Sequence, residues 1–218
     1  MNYTGDSAEA VKWFHKVAEK GVSAGEFELG RAYFQGNGVS QDSTEVAKWF
    51  LKAAARGHVS AQFNIGMMYL QGNGVLEDYS EAVKWLRKAA GRGDTSAQGM
   101  LGSVCIEGLG VSQDYITAYM WLTLCIDRST NSQSQILEKA KSWRELITDR
   151  MTEQQIEEAK RMASKWKPDR VSELVRVPAR SQVPKLISRP TAESIKESIS
   201  VKRVSFPLNF SPRDIAAG

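Results

Sequence analysis

A period of 36 residues runs through the first part of this 218-residue chain and constrains its fold more than any other feature. Trp13, Trp49, Trp85 and Trp121 keep it, as do Gly21/Gly57/Gly93, Gly30/Gly66/Gly102, Gly36/Gly72/Gly108, Gly38/Gly74/Gly110 and Asp6/Asp42/Asp78/Asp114. A fixed period of this length marks an array in which each unit is one supersecondary element. Such a unit cannot bury its apolar face alone and stacks on its neighbours. One central core is thereby excluded.

Each period holds two helical patterns. From Asp6 to Lys20, Ala10, Trp13, Phe14, Val17 and Ala18 form an i, i+3, i+4, i+7, i+8 stripe, with Lys12, Lys16, Glu19 and Lys20 opposite. Asp6 is placed to cap this helix, called helix B, with Glu9 reaching back, and Gly21 to end it. Copies begin at Asp42, Asp78 and Asp114. Helix A runs from about Ala24 to Gln35, with copies at Ser60–Gln71 and Ser96–Glu107. The glycine inside each A helix costs about 1 kcal/mol relative to Ala, so its recurrence implies that a neighbouring helix approaches the backbone there. The Gly-x-Gly-Val loops after helix A follow a helix and lack Gly-Lys-Ser/Thr, which excludes a phosphate cradle.

The pattern Ala-x-x-x-Leu-Gly-x-x-Tyr-x-x-Gly-x-Gly-Val-x-x-Asp-x-x-x-Ala-x-x-Trp-x-x-x-Ala-Ala-x-x-Gly resembles the Sel-1-like repeat, a relative of the tetratricopeptide repeat. Ala61, Ile65-Gly66, Tyr69, Gly72, Gly74-Val75, Asp78, Ala82, Trp85, Ala89-Ala90 and Gly93 follow it closely. The last unit departs at Cys105 and at Cys125-Ile126, in keeping with an end-of-array position. The resemblance implies an all-α fold: an α/α solenoid of 36-residue helix-turn-helix repeats, a C-terminal helical cap and a disordered tail. The expected divisions are a half repeat with helix B alone at 1–20, repeats at 21–56, 57–92 and 93–128, capping helices at 129–167 and a tail at 168–218.

The cap comprises a helix from Gln133 to Thr148, burying Ile136, Leu137, Ala140, Trp143 and Ile147, and a second behind the capping box Thr152-Glu153-Gln154-Gln155. The segment Arg150 to Lys167 resembles a helix found after such repeats in bacterial members. All six prolines fall from Pro168 onward, among frequent Ser and Arg, so this segment reads as a disordered basic tail.

Charge separates along the chain. Residues 1–166 carry 19 Lys+Arg against 20 Asp+Glu, and residues 167–218 carry 10 against 5. The repeats thus offer nucleic acid no broad basic face. No apolar run is long enough to span a membrane, and the first residues lack the pattern of an export signal. The chain as it stands reads as cytoplasmic, or as periplasmic or secreted if a signal lies upstream.

Chemistry-bearing clusters are sparse, and the reading is a protein that is not an enzyme and takes no cofactor or metal. His15 fills a variable slot occupied elsewhere by Leu51, Arg87 and Thr123, and His58 lies in a turn; both read as inert. Ser164-x-x-Lys167 lacks the companion motifs of a serine acyl enzyme. On antiparallel helices Cys105 and Cys125 lie about 12 Å apart along the axis, too far to bridge, and read as buried free thiols.

In solenoids of the resembled kind helix A lines the concave side. Removing its core positions leaves Glu28, Arg31 and Gln35; Asn64, Met67 and Gln71; and Met100, Ser103 and Glu107 as the partner-binding stripe. Met67 and Met100 stand out as adaptable apolar contacts. The expected function is a scaffold or adaptor that holds a peptide or protein segment. The alternative is a regulatory protein whose tail carries a short docking motif, since Lys202-Arg203-Val204-Ser205-Phe206 resembles the Arg-Val-x-Phe docking motif for a Ser/Thr phosphatase. The helix at Asp6 keeps register with a repeat that would begin before Met1, so the chain is expected to be the C-terminal part of a longer protein; the alternative is a bare edge of Trp13, Phe14 and Val17, open to self-association, that pairs with another molecule.

Overall fold

The computed structural model describes residues 4–129 and 135–168, and every regular element among them is an α-helix. In chain order these are α1 (Thr4–Glu19), α2 (Ser23–Gln35), α3 (Ser43–Ala55), α4 (Val59–Gln71), α5 (Tyr79–Gly91), α6 (Thr95–Glu107), α7 (Tyr115–Arg128), α8 (Gln135–Thr148) and α9 (Glu153–Lys165). The A helices are α2, α4 and α6; the B helices are α1, α3, α5 and α7. The tail, with its expected disorder and the Lys202–Phe206 motif, lies outside the described residues.

Aspartate starts three of the four B helices. Asp42, Asp78 and Asp114 each accept two backbone N–H bonds, from Thr44 and Glu45 (2.8 and 3.2 Å), Ser80 and Glu81 (2.9 and 3.0 Å), and Ile116 and Thr117 (3.0 and 3.1 Å). The first copy differs: α1 begins at Thr4, so Asp6 lies inside the helix instead of capping it. The capping box ahead of α9 is complete, with Thr152 accepting from Gln155 N–H and the Gln155 side chain accepting from Thr152 N–H.

Two glycines turn each A helix into the next B helix, with separate duties. Gly36, Gly72 and Gly108 end the helix in the left-handed conformation (φ 69°, 64° and 72°) and donate to the carbonyls of Ala32, Met68 and Val104. Gly38, Gly74 and Gly110, also at positive φ, lie against the unit before. A Cβ on any of them would collide with the main chain at Ser7, Ser43 and Tyr79 respectively. Those contact points are themselves one period apart, so each loop seats on the first turn of the preceding B helix. Val39, Val75 and Val111 sit half-buried beside these loops.

Stacking follows from this arrangement. Each A helix packs between the B helix of its own unit and that of the unit before. The glycine inside each A helix is the crossing point with its own B helix. A Cβ there would stand 2.6 Å from Phe50 Cδ1 at Gly30, 2.9 Å from Leu86 Cγ at Gly66 and 2.5 Å from Leu122 Cδ2 at Gly102. In a solvated helix Gly→Ala would gain about 1 kcal/mol. Here overpacking costs about 1–3 kcal/mol, so Gly102→Ala should lower stability in denaturant unfolding. The double variant Gly102→Ala/Leu122→Ala should lose less than the two single losses added together.

Polar ties also repeat along the array. The buried amides of Gln62 and Gln98 donate to the carbonyls of Ala54 and Ala90 (3.1 and 3.3 Å). The same register in the first unit holds Glu26, which cannot donate when ionised and instead accepts from Arg56 Nε at 3.2 Å. One period on, Arg92 donates to the Gly57 carbonyl at 2.9 Å.

The end of the array is closed by α8, which packs on α6 and α7, and α9, which packs on α7. Ile136, Leu137, Ala140, Trp143 and Ile147 are buried, the five positions the periodicity picks out. In α9 only Ala159 is fully covered. Trp166 follows it, buried edge-on against Trp121 (centroids 6.4 Å apart) and with the Arg128 guanidinium 4.8 Å from its ring. Gly99 admits the cap: the earlier copies have Phe27 and Phe63 at this register, whereas a Cβ on Gly99 would already stand 2.8 Å from Ile136 Cγ1.

At the other end the expected stripe is corrected. Val11 and Ala18 are the buried residues of α1, facing Leu29 and Ala32 of α2. Trp13 is 61% exposed and Ala10 is exposed, because no helix lies on that flank among the described residues.

Candidate interaction face

The nine stripe residues on α2, α4 and α6 divide sharply. Gln35, Gln71 and Glu107, at the helix ends, are exposed. Glu28 and Arg31 are half-exposed and joined by an ion pair at 3.1 Å. The expectation of exposure fails for the other four: Asn64 and Met67 are each 3% exposed, Met100 1% and Ser103 5%. The reason is coverage from more than one side. α4 is held between α3 and α5, and α6 between α5 and α7 with α8 laid on it as well. A helix so enclosed is buried almost all round, and residues 61–68 of α4 are buried without a break. Met67 and Met100 therefore fill core volume.

What stays open on the A side is a row at the helix C-termini and the loops after them. Asn37 and Asn73 join Gln35, Gln71 and Glu107 as exposed residues, and Asn37 donates to Gln35 Oε1 at 3.3 Å. These asparagines were missed by the stripe argument because they lie beyond the helix. Their signal was in the sequence, two identical residues one period apart.

Both histidines have structural partners. His15 lies edge-on to Trp49 and Tyr33, at centroid distances of 5.8 and 6.5 Å. His58 is the N-cap of α4: its Nδ1 accepts from Ala61 N–H at 3.3 Å, and its ring stacks on Phe27 at 4.3 Å. One period later Asp94 performs the same cap, accepting from Ala97 N–H at 2.7 Å. Burial lowers the His58 pKa below its ordinary 6.5, with the Glu28 carboxylate opposing. The unfolded chain binds that proton more readily. The His58 contribution is therefore full above about pH 6.5 and is lost as pH falls through the lowered folded value. His58→Asn keeps a cap acceptor without a titrating ring. Unfolding midpoints measured at pH 7 and pH 5 should fall further for the parent than for this variant.

Cys105 and Cys125 are both buried and free, in agreement with their antiparallel spacing. Burial pushes their thiols up to about 12 and about 11, out of the range of a reactive thiolate. Ser164 spends its hydroxyl on the Arg161 carbonyl. Among the described residues no group of three or more His, Cys, Asp or Glu gathers as a metal site, and no helix is long and apolar enough to cross a membrane.

The sequence profile of the Sel1 repeat matches residues 3–22, 23–58, 59–94 and 95–125. The chain belongs to the Sel1 repeat family. Solved structures agree with the profile on the fold. A Sel1 repeat protein from Oxalobacter formigenes is 25% identical with a TM-score of 0.60, over 73% of this chain and 65% of that one. The protein c5321, described as a protective antigen of uropathogenic Escherichia coli displaying an SLR fold, is 27% identical with a TM-score of 0.51, over 82% of this chain and 45% of that one. This Sel1 repeat chain thus spans less than two thirds of the length of either neighbour, and both neighbours are bacterial. No curated protein matches it significantly.

Proposed function

We propose that this chain is a non-catalytic scaffold that holds a peptide or protein segment against the A-helix side of its repeats. The observation that carries this reading is the open row of Gln35, Asn37, Gln71, Asn73 and Glu107, spaced by the repeat, beside the Glu28–Arg31 pair. A carboxamide both donates and accepts, so amides at regular intervals suit the main chain of an extended segment better than any one side chain. The buried members of the original stripe, Asn64, Met67, Met100 and Ser103, support this face from beneath and do not touch the partner.

Affinity capture followed by mass spectrometry tests the reading. A partner held by the parent chain should be lost from Gln35→Ala/Gln71→Ala/Glu107→Ala. It should be kept by Lys48→Ala/Lys84→Ala, whose exposed lysines lie on the B helices. Retention by the triple variant, with its helical circular dichroism unchanged, would remove this face from consideration. The Lys202–Phe206 match supports a second reading, in which the tail carries the docking motif and the repeats are its mount. Deleting residues 168–218 separates the two, because a partner still captured without the tail cannot depend on that motif.

A further inference from the structure

A ladder of cations runs along the edge where each B helix turns into the following A helix. Lys20, Arg56, Arg92 and Arg128 keep the 36-residue period, and all four are exposed. Each arginine is laid over the preceding turn of the same kind. A Cβ on Gly21 would stand 2.8 Å from Arg56 Nη2, one on Gly57 2.9 Å from Arg92 Nη1 and one on Gly93 3.7 Å from Arg128 Nη2. Arg56 Nε also donates to Glu26 of α2 at 3.2 Å, and Arg92 Nη1 to the Gly57 carbonyl at 2.9 Å. One turn back on the B helices, Lys52 and Lys88 are exposed as well.

Helix stability does not call for this arrangement. Like charges at i, i+4 destabilise a helix by about 0.2–0.5 kcal/mol, and Lys52–Arg56 and Lys88–Arg92 repeat that cost. The neighbouring row is treated differently, since Lys48 and Lys84 pair with Glu45 and Glu81. Among the described residues Lys52, Lys88 and Arg92 have no ion-pair partner. A cation at the C-terminus of a B helix is favourable, but an A helix starts three residues later and turns its own positive end to the same edge. Neither α4 nor α6 has an acidic residue in its first turn. Two carboxylates on this edge are already spent: Glu26, 2% exposed, on Arg56, and Asp94 on Ala97 N–H. Glu19 and Asp127 stand beside the two ends of the ladder.

We propose that this edge binds an extended acidic peptide segment of another protein, with its carboxylates on the arginine ladder. A guanidinium presents a planar fork that matches a carboxylate with two hydrogen bonds, and the turn beneath holds each one in place. The strip is narrow and is flanked by the Glu45/Glu81 row. A nucleic-acid duplex or a membrane surface is broad enough to meet those glutamates, whereas a single extended chain is not. The chain's own tail has the wrong sign, with 10 Lys+Arg against 5 Asp+Glu in residues 167–218. This edge lies at the N-termini of the A helices and the Gln35–Glu107 row at their C-termini, so the two readings stand or fall separately.

The test is fluorescence anisotropy of a labelled peptide of about twelve residues, alternating Glu and Gly, titrated with the full chain at about 0.05 M ionic strength, where exposed charges are weakly screened. Lys52→Gln/Lys88→Gln/Arg92→Gln should weaken binding at least roughly tenfold. Lys12→Gln/Lys48→Gln/Lys84→Gln removes the same number of charges one row away and should change it less than about twofold. The tail is common to all these proteins, so the difference reads the ladder alone. Lys52→Gln/Lys88→Gln, which spares the Arg92–Gly57 bond, should still weaken binding at least about threefold, with helical circular dichroism unchanged. No binding by the parent, or equal losses in the two triple variants, would overturn the proposal. A duplex oligonucleotide that binds more tightly than the peptide and depends on the same ladder would assign the edge to nucleic acid and overturn it too.

Discussion

Gly74→Ala should lower the stability of the chain by roughly 2–5 kcal/mol, the largest effect available to a single added methyl group. Two costs combine. At φ 70° the new side chain sits in the left-handed region, which is unfavourable by roughly 1–2 kcal/mol for an L-residue. Its Cβ would also collide with the backbone of Ser43, which cannot move aside as a flexible side chain would. That collision lies between units, so relief requires the second repeat to lift off the first. Gly72→Ala, two residues away, provides the control. It carries the same kind of φ (64°), yet its Cβ would make only ordinary contacts, the nearest at 3.5 Å from Glu77. The difference between the two denaturant midpoints therefore isolates the seat of one repeat on the next. Equal losses would show that this seat does not hold the stack together.

Trp121→Ala should cost about 3–5 kcal/mol, as expected for a fully enclosed aromatic residue replaced by a cavity, while Trp13→Ala should lie within about 0.5 kcal/mol of the parent. The two residues occupy the same register three periods apart, yet Trp121 is 1% exposed and Trp13 61%. Trp121 also supports the cap through Trp166, so its loss should release α9 along with the local core. Trp85 is half-buried under the Lys88 ammonium, 4.0 Å from its ring, and Trp85→Ala should fall between the extremes. Thermal and denaturant unfolding of the three variants give the order directly. A uniform loss at all three positions would contradict a stack in which burial depends on neighbours.

The elements of this fold were legible because their causes are local. Asp42, Asp78 and Asp114 cap the helices that follow them, and Gly36, Gly72 and Gly108 end the helices before them. Both effects act within a few residues of the chain. The repeated glycine at 30, 66 and 102 was legible for a similar reason, since its helix-propensity cost is intrinsic and its recurrence called for a packing explanation.

The candidate face was read less well. Helical spacing placed Asn64, Met67, Met100 and Ser103 off the core stripe of helix A, but helices on more than one side cover them. The apolar character of α4 and α6 all round was a sign of full enclosure that the stripe argument left unused.

By itself, the sequence determined the all-helical repeat, the starts of α3, α5 and α7, the ends of α2, α4 and α6, the crossing glycines and the buried residues of α8, because these rest on backbone conformation and periodicity. Only the tertiary structure decided which members of a register are core and which are surface. Trp13, Trp49 and Trp121 are one residue type at one register, and their exposures of 61%, 6% and 1% differ only through what lies beside them. Burial is a property of neighbours, and a period in the sequence states where a residue recurs without stating what will cover it.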